Sequence, residues 1–272
     1  MQGDVRTPAG SVRWGMHVTR LSTTPVKGLA LHHPESIEVT EAGVAGDRVF
    51  YLVDERDALV SIAKTGGLVG LHAVYDPDAE RLEIRDGPDV LASGPVVAGA
   101  AHTAGFFAFR AVEGTFAPGP WDDLLSARAG RALRLVRAAR PGGGHDVEPL
   151  TLLGQASLDR LAEQAQVPAV DGRRFRMLIE FEGAAAHAED GWLGQQVRIG
   201  SAVIEVGGPV QRCAGTTRNP ETGAVDLRTL ALIGDYRGRQ DSVFGPGFNF
   251  GVYARCVTPG RIAVGDTLTL LA

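Results

Sequence analysis

The segment QVRIGSAVIEVGGPVQRCAGTT, residues 196–217, carries the pattern that decides the fold. Apolar and polar residues alternate over residues 196–199, and a mainly apolar stretch follows over residues 203–206, with Gly200-Ser201 between them. Such a pattern around a short turn predicts two half-buried antiparallel strands. The second strand leads through Gly207-Gly208 to Cys213, so a thiol is placed where a strand runs out into a loop.

The same alternation recurs on both sides of this segment and predicts a mainly β protein with a few helical elements. Two helices are expected, at residues 120–129 and 157–166, and Ser157 is a candidate N-cap for the second. Many short strands with few helices favour a barrel. The further predicted strands are residues 37–39, 49–53, 82–84, 106–111, 132–138, 175–181, 250–257, 261–264 and 268–271.

The run Pro141-Gly142-Gly143-Gly144 interrupts this pattern near the middle of the chain. A Gly-rich break of this kind favours a domain boundary over a mobile active-site loop. We therefore predict an N-terminal strand-rich domain over residues 14–138 and a C-terminal barrel domain over residues 145–272.

Composition excludes several classes of protein. The formal net charge of the 272 residues is -5, which argues against a nucleic-acid-binding surface. The only two cysteines, Cys213 and Cys256, cannot supply the four thiolates of an iron–sulfur cluster or a four-cysteine zinc site, and we expect both to be reduced. Residues 1–15 lack the apolar core of a signal peptide, and no apolar run approaches about 18 residues. These features predict a cytoplasmic protein that binds neither nucleic acid nor membrane.

Cys213 is the first candidate functional residue. Arg212 precedes it and Ala214-Gly215 follows it, and positive charge beside a thiol stabilises the thiolate. Reactivity or soft-metal ligation is one interpretation, and a buried small hydrophobic residue is the other. Cys256 lies inside the apolar run 252–257 and is predicted to be a packing residue.

A second set of candidates is basic. On the strand predicted for residues 175–181, extended backward by one residue, Arg174 and Arg176 share one face. Two guanidinium groups on one face favour a phosphate or carboxylate bound between them. The alternative is a solvated rim paired with acidic residues such as Asp171 or Glu180. Similar charge lies at two loop-to-strand junctions, at Lys27 and Arg48.

Together these motifs resemble a MOSC domain, the module named for the C-terminal part of molybdenum cofactor sulfurases. The resemblance is carried by Arg174-Phe175-Arg176, residues 189–194, 197–200, Arg212-Cys213, residues 219–223, 250–255 and 264–266. The upstream residues 25–27, 43–48 and 51–54 are similar to the N-terminal domain of bacterial YcbX-like proteins and the mitochondrial amidoxime-reducing component. The resemblance implies a MOSC β-barrel preceded by a strand-rich domain.

The resemblance also implies a molybdopterin-type molybdenum cofactor, with Cys213 as the protein ligand to molybdenum. Several positions depart from the family pattern, and among them Gly28 stands where the family has Ser and Leu178 where it has Asn. Both departures remove a polar contact from the cofactor's surroundings. The residues implied to hold the phosphate, pterin or metal-bound groups of the cofactor are Lys27, Arg48, Arg174, Arg176, Arg212 and Thr217.

The activity implied by the resemblance is that of a molybdenum-cofactor-dependent oxidoreductase. Such an enzyme removes oxygen from an N-hydroxylated or related N-oxygenated small molecule, and a separate reductase or ferredoxin-like partner returns two electrons. Two alternatives stay open at this point. One is a non-catalytic carrier of molybdenum cofactor or sulfur, and the other is a ligand-binding barrel that has lost the cofactor.

Overall fold

The computed structural model describes residues 15–106 and 110–271, and the statements on residues 1–14 made above fall outside this part of the chain. Within the described ranges the protein is mainly β. The strands are β1 Met16–Leu21, β2 Ser36–Thr40, β3 Gly43–Val44, β4 Phe50–Asp54, β5 His72–Asp76, β6 Arg81–Asp86, β7 Asp89–Pro95, β8 Ala101–Phe106, β9 Arg110–Phe116, β10 Leu133–Ala138, β11 Leu150–Gly154, β12 Ile179–Glu182, β13 Gln196–Ile199, β14 Ala202–Gln211, β15 Asn249–Thr258, β16 Gly260–Ala263 and β17 Thr267–Leu270. The helices are α1 Trp121–Ala129, α2 Gln155–Ala165 and α3 Thr229–Arg237.

Seven strands close into a barrel in the order β1-β12-β11-β15-β14-β13-β17. The quoted sequence pattern shows why: along β13, Val197 and Ile199 are buried while Gln196 and Arg198 are exposed. The buried side chains of all seven strands meet in one apolar core inside the ring. This arrangement confirms the predicted β-barrel.

The barrel is closed by a strand from the other end of the chain. β1 pairs antiparallel with both β12 and β17, so the first described strand completes a ring whose other members all follow residue 149. In return, β16 leaves the C-terminal region to pair with β2, which also pairs with β3. The sheets therefore exchange strands across the predicted division between 14–138 and 145–272, and those domain bounds stay a prediction.

The remaining strands form two sheets in the N-terminal part of the chain, β4-β10-β9-β8 and β5-β6-β7. Trp121 and Leu125 of α1 are fully buried in the core between these strands. The strand predicted over residues 106–111 is divided, because β8 ends at Phe106 and β9 begins at Arg110, and residues 107–109 lie outside the described part.

The strand predicted over residues 175–181 is wrong at its beginning. Residues Gly172–Phe175 form a 3₁₀ turn, and the strand starts only at Ile179. The Asp171 carboxylate accepts a hydrogen bond from the Arg173 N–H at 2.9 Å, and Arg176 ends the turn in the left-handed region with φ 53°. Local capping therefore overrides the apolar pattern, and Arg174 and Arg176 do not share the face of a strand.

Helix α2 also begins earlier than predicted, and Ser157 is not its N-cap. The Ser157 hydroxyl donates to Glu189 Oε1 at 3.1 Å and accepts from the His187 N–H at 2.9 Å. Glu189 also accepts from the N–H of Gly154, the residue before the helix, at 3.2 Å, so a carboxylate distant in sequence binds both Gly154 and Ser157. Burial raises the pKa of Glu189.

In the described part of the chain, every helix is too short or too polar to cross a bilayer.

His187 should make folding stability depend on pH. Burial, followed by the charge of Arg237, lowers its pKa to about 4, and Nδ1 is buried without a hydrogen-bond partner. The unfolded chain takes up this proton first as the pH falls below about 6.5, so the native state loses stability between pH 6.5 and 4, by about 1–2 kcal/mol because solvent screens this half-buried group. Urea unfolding at a series of pH values measures the loss. We expect His187→Asn to flatten the profile over this window, since Asn also tolerates the left-handed backbone at φ 61°.

Tyr236→Phe is the matched control for this measurement. It removes the hydroxyl that lies 3.2 Å from His187 Nε2 but leaves the imidazole in place. The pH dependence should persist in this variant. An unchanged profile in His187→Asn would show that other groups cause the loss.

Candidate functional site

A cleft with a volume of about 220 Å³ separates the open end of the barrel from loops of the N-terminal sheets. We call it the Cys213 cleft. Its lining comes from both ends of the sequence, as the barrel-closing role of β1 leads one to expect. The lining residues are Lys27, Gly28, Arg48, residues 59–63, 145–146, 148–149, Thr151, residues 174–177, 210–213, 215–216 and Tyr253.

Cys213 lies two residues after the end of barrel strand β14. Its backbone is extended, with φ −110° and ψ 175°, and its carbonyl accepts from both the N–H and the hydroxyl of Thr216, at 3.2 and 3.1 Å. The residue is exposed, so the alternative of a buried packing residue does not hold. Cys256 is only partly accessible and packs against the barrel core, and burial raises its pKa.

Three cations of the cleft are paired with carboxylates. Lys27 Nζ lies 2.5 Å from Asp146 Oδ1 and 2.9 Å from the Gly144 carbonyl oxygen. The Arg48 guanidinium donates to Asp47. Arg174 forms a bidentate ion pair with Asp226, with nitrogen–oxygen distances of 2.6 and 2.8 Å. These pairs hold the cations in place but leave little charge on them uncompensated.

Two further guanidinium groups have no carboxylate partner among the described residues. Arg176 donates to the Leu29 carbonyl oxygen at 2.7 Å, and burial lowers its pKa to about 9, with the charge of Arg48 adding to the effect. Arg212 is 9% exposed, and burial lowers its pKa to about 10. Because buried charge without a counter-charge is costly, an anionic ligand in this cleft would be stabilised.

Arg212 also ties the cysteine loop to the rest of the barrel. Its guanidinium donates to the carbonyl oxygens of Phe250 and Phe175, at 2.8 and 2.9 Å, and to the Met177 sulfur at 2.7 Å. These contacts join β15 and the 3₁₀ turn to the residue immediately before the thiol. The position of Cys213 is thus set by hydrogen bonds within the protein.

His145 adds an unsatisfied polar atom to the cleft wall. It is 4% exposed, and its Nε2 lacks a hydrogen-bond partner although Asp47 Oδ2 is 3.7 Å away. Burial, together with the charges of Arg48, Lys27 and Arg110, lowers its pKa well below the usual value. The imidazole is therefore neutral and retains the capacity to bond a ligand or water.

The structure brings six of the seven predicted site residues to the Cys213 cleft, namely Lys27, Arg48, Arg174, Arg176, Arg212 and Cys213. Thr217 does not line it, and the Thr217 hydroxyl donates to the Ala214 carbonyl oxygen at 2.7 Å. The adjacent Thr216 lines the cleft instead. Its hydroxyl lies 2.6 Å from that of Thr229.

The acidic partners expected for the basic pair are engaged elsewhere. Asp171 pairs with Arg173 at 2.6 Å, and Glu180 pairs with Arg20 at 2.5 Å. The solvated-rim alternative therefore named the wrong partners, although Arg174 does have a carboxylate in Asp226.

Gly28 and Leu178, which depart from the family pattern, lie in different parts of the structure. Gly28 lines the cleft with φ +95°, a conformation that suits glycine and strains a residue with a Cβ. Leu178 lies in the barrel core, where an amide would lack partners. The backbone around these positions has thus adapted to the residues present.

Sequence reasoning missed several residues that line the cleft. Asp146 and His145 follow the Gly-rich break and carried a usable signal, because they are charged or titratable residues next to a predicted boundary. Tyr253 lies within residues 250–255, which contributed to the resemblance to the family but suggested no role for this side chain. Residues 59–63 gave no signal, since nothing local predicts that this loop reaches the barrel.

Comparison with family models identifies residues 140–269 as a MOSC domain. This chain contains a MOSC domain. The match includes the barrel strands after β10 and Cys213, whereas Lys27, Arg48 and residues 59–63 lie outside it. MOSC domains are associated with molybdenum cofactor binding.

Solved structures with a similar arrangement include YuaD protein from Bacillus subtilis, with 10% identity, a TM-score of 0.44 and coverage of 93% of both chains. YiiM from Geobacillus stearothermophilus has 17% identity and a TM-score of 0.33, covering 65% of this chain and 73% of its own. YiiM from Escherichia coli has 18% identity and a TM-score of 0.32, covering 46% and 55%. Comparison with curated protein sequences gives no match.

The buried cations predict that an anion stabilises this protein. Pyrophosphate should raise the melting temperature of cofactor-free protein by about 3 °C at saturating concentration. In Arg176→Leu the rise should be at most half as large, while the melting temperature without anion should increase because a buried charge has been removed. Differential scanning calorimetry checks both effects.

Arg255→Leu is the control, because Arg255 is an exposed arginine on the barrel paired with Glu205. It should keep the full response to pyrophosphate. An equal response in Arg176→Leu and the wild type would place the anion outside the Cys213 cleft.

Proposed function

We propose that this protein is a molybdenum-cofactor-dependent reductase of N-hydroxylated or related N-oxygenated small molecules. One observation carries the proposal: the exposed Cys213 thiol lies in a cleft lined by Lys27, Arg48, Arg176 and Arg212. A soft metal ligand thus lies beside groups that bind phosphate.

The residues present fit such a cofactor. No cluster of three or more His, Cys, Asp or Glu suited to a metal occurs in the described ranges, so a metal at Cys213 must bring its other ligands with it. A dithiolene-bearing pterin does so. Its phosphate would supply the counter-charge that Arg176 and Arg212 lack, and the unpartnered Nε2 of His145 offers a hydrogen-bonding group in the same wall.

Each residue has a role that follows from its contacts. Cys213 would provide the thiolate, and Arg212 would hold the cysteine loop through its bonds to Phe175 and Phe250. The residues that would hold the phosphate and pterin are Lys27, Arg48, Arg174 and Arg176. Thr217 is the weakest of the predicted contacts, because its hydroxyl is already bonded to Ala214.

The molybdenum cofactor, when bound, supplies two-electron redox chemistry. The overall reaction breaks the N–O bond of the substrate, consumes two electrons and two protons, and releases the reduced nitrogen compound and water. With Cys213 and Cys256 as its only cysteines, this sequence cannot hold a four-cysteine cluster, so a separate electron-transfer partner would deliver the electrons.

Cofactor loading tests the role of Cys213. Protein from a host that makes molybdenum cofactor should contain about one molybdenum per chain by mass spectrometry, and protein from a host unable to make it should contain none. Cys213→Ala should lose most of the metal and all activity on benzamidoxime with reduced methyl viologen. Cys256→Ala removes the other thiol and should keep both.

The outcomes separate the proposal from its alternatives. Molybdenum in the wild type without turnover would contradict a reductase and favour a carrier that delivers the cofactor. Absence of molybdenum from the wild type in the competent host would contradict both and favour a barrel that binds another anion.

A further inference from the structure

The Cys213 cleft has an apolar side as well as a cationic one. Leu59, Val60, Ile62 and Ala63 line it from the loop after β4, and Val210 lines it from β14. We call these five residues the apolar wall. Four of them lie outside the region matched by the MOSC family, and none of the five has a polar or charged side chain.

The apolar wall is held in place before any ligand binds. The Val60 N–H donates to the Leu52 carbonyl oxygen at 2.9 Å, which fixes the loop to β4. Arg218 donates to the carbonyl oxygens of Ala63 and Gly223, at 3.1 and 2.8 Å, which fixes the other end to the loop after Cys213. A wall anchored at both ends is suited to selecting a ligand by shape.

Ile62 borders both the thiol and the cationic rim. A Cβ added to Gly215 would lie 2.8 Å from Ile62 Cγ1 and 3.4 Å from Cys213 Sγ, so both side chains approach Gly215 and Ile62 leaves no room there for a methyl group. A Cβ on Gly28, next to Lys27, would lie 3.7 Å from Ile62 Cγ2. A molecule that reaches Cys213 along this side therefore contacts Ile62.

The chemistry of the wall restricts what such a molecule can be. A polar or charged group against Leu59, Val60 and Ile62 would lose water without gaining hydrogen bonds, whereas an apolar group gains by burial. A positively charged group would lose most, because removing a charge from water costs more than removing a neutral polar group and the apolar wall offers no counter-charge.

We infer that the substrate carries a compact, uncharged apolar body that lies against the apolar wall, and that Ile62 limits the width of that body. The inference rests on the proposed function for the N–O group that reacts. It adds the chemical class of the rest of the substrate molecule. Ile62 is then a specificity-determining residue of the N-terminal half, distinct from the residues that hold the cofactor.

Substrate selectivity tests this inference on the molybdenum-loaded protein. The measured quantity is kcat/KM for benzamidoxime, 2-naphthamidoxime and benzamidoxime bearing a para-trimethylammonium group. The cationic compound should be about tenfold poorer than benzamidoxime, and Ile62→Ala should raise the naphthyl-to-phenyl ratio about tenfold. Ile62→Val, which preserves the branched shape, should fall between. Leu193→Ala shortens an exposed side chain outside the cleft and should leave the ratio unchanged.

A second readout does not depend on turnover. In cofactor-free Cys256→Ala protein, Cys213 should react with N-phenylmaleimide faster than with N-methylmaleimide, relative to the same ratio for glutathione. Ile62→Ser should reduce this preference about threefold through loss of apolar contact. Thermal melting of each variant verifies that it is folded.

The two readouts separate the inference from the proposed function. An aryl preference at Cys213 without reduction of any amidoxime would contradict the reductase and support the apolar wall. Reduction of all three compounds at similar kcat/KM, with no effect of Ile62→Ala on the ratio, would overturn the inference and leave the reductase standing.

Discussion

Buried positive charge is the constraint on which the site depends. Arg176 and Arg212 are held by carbonyl oxygens and a sulfur, and no described carboxylate forms an ion pair with them. A protein of this net acidity has carboxylates available, as the pairing of Lys27, Arg48 and Arg174 shows. That two guanidinium groups remain unpaired beside an exposed thiol indicates a cleft arranged for an anion.

The barrel explains how those charges come together. Arg212 and Cys213 follow β14, whereas Arg174 and Arg176 lie in the turn before β12. Lys27 follows β1, which is inserted between β12 and β17, and its N–H donates to Phe50 in β4. Because β1 closes the barrel, Lys27 from the N-terminal part of the chain lines the same cleft as the Cys213 thiol.

The sequence alone was sufficient to predict an element where its pattern is local. It was sufficient to predict residues that line the cleft where the order of motifs matches that of a known family. The alternation over residues 196–199 predicted β13, and the residues resembling a MOSC domain placed six side chains that line one cleft. It failed where side-chain hydrogen bonds, distant or local in sequence, decide the structure. Ser157 was expected to be an N-cap, but it lies in the first turn of α2 and its hydroxyl donates to Glu189, which is distant in sequence. The apolar pattern at 175–181 suggested one strand, but the Asp171 turn delays it until Ile179. The approach of Ile62 to Cys213 depends on pairing between loops far apart in sequence, which no local pattern encodes.

The region matched by the MOSC family is therefore not a complete site. Without β1, strands β12 and β17 would present unpaired edges, and the barrel would be open beside the turn that carries Arg176. Without residues 59–63, the thiol would face solvent on the side that Ile62 now occupies. The C-terminal part supplies the sulfur and most of the cations, and the N-terminal part closes the barrel and shapes the approach to the sulfur. Since different stretches of sequence carry these two tasks, the wall proposed to select a substrate can change while the groups proposed to hold a cofactor are retained.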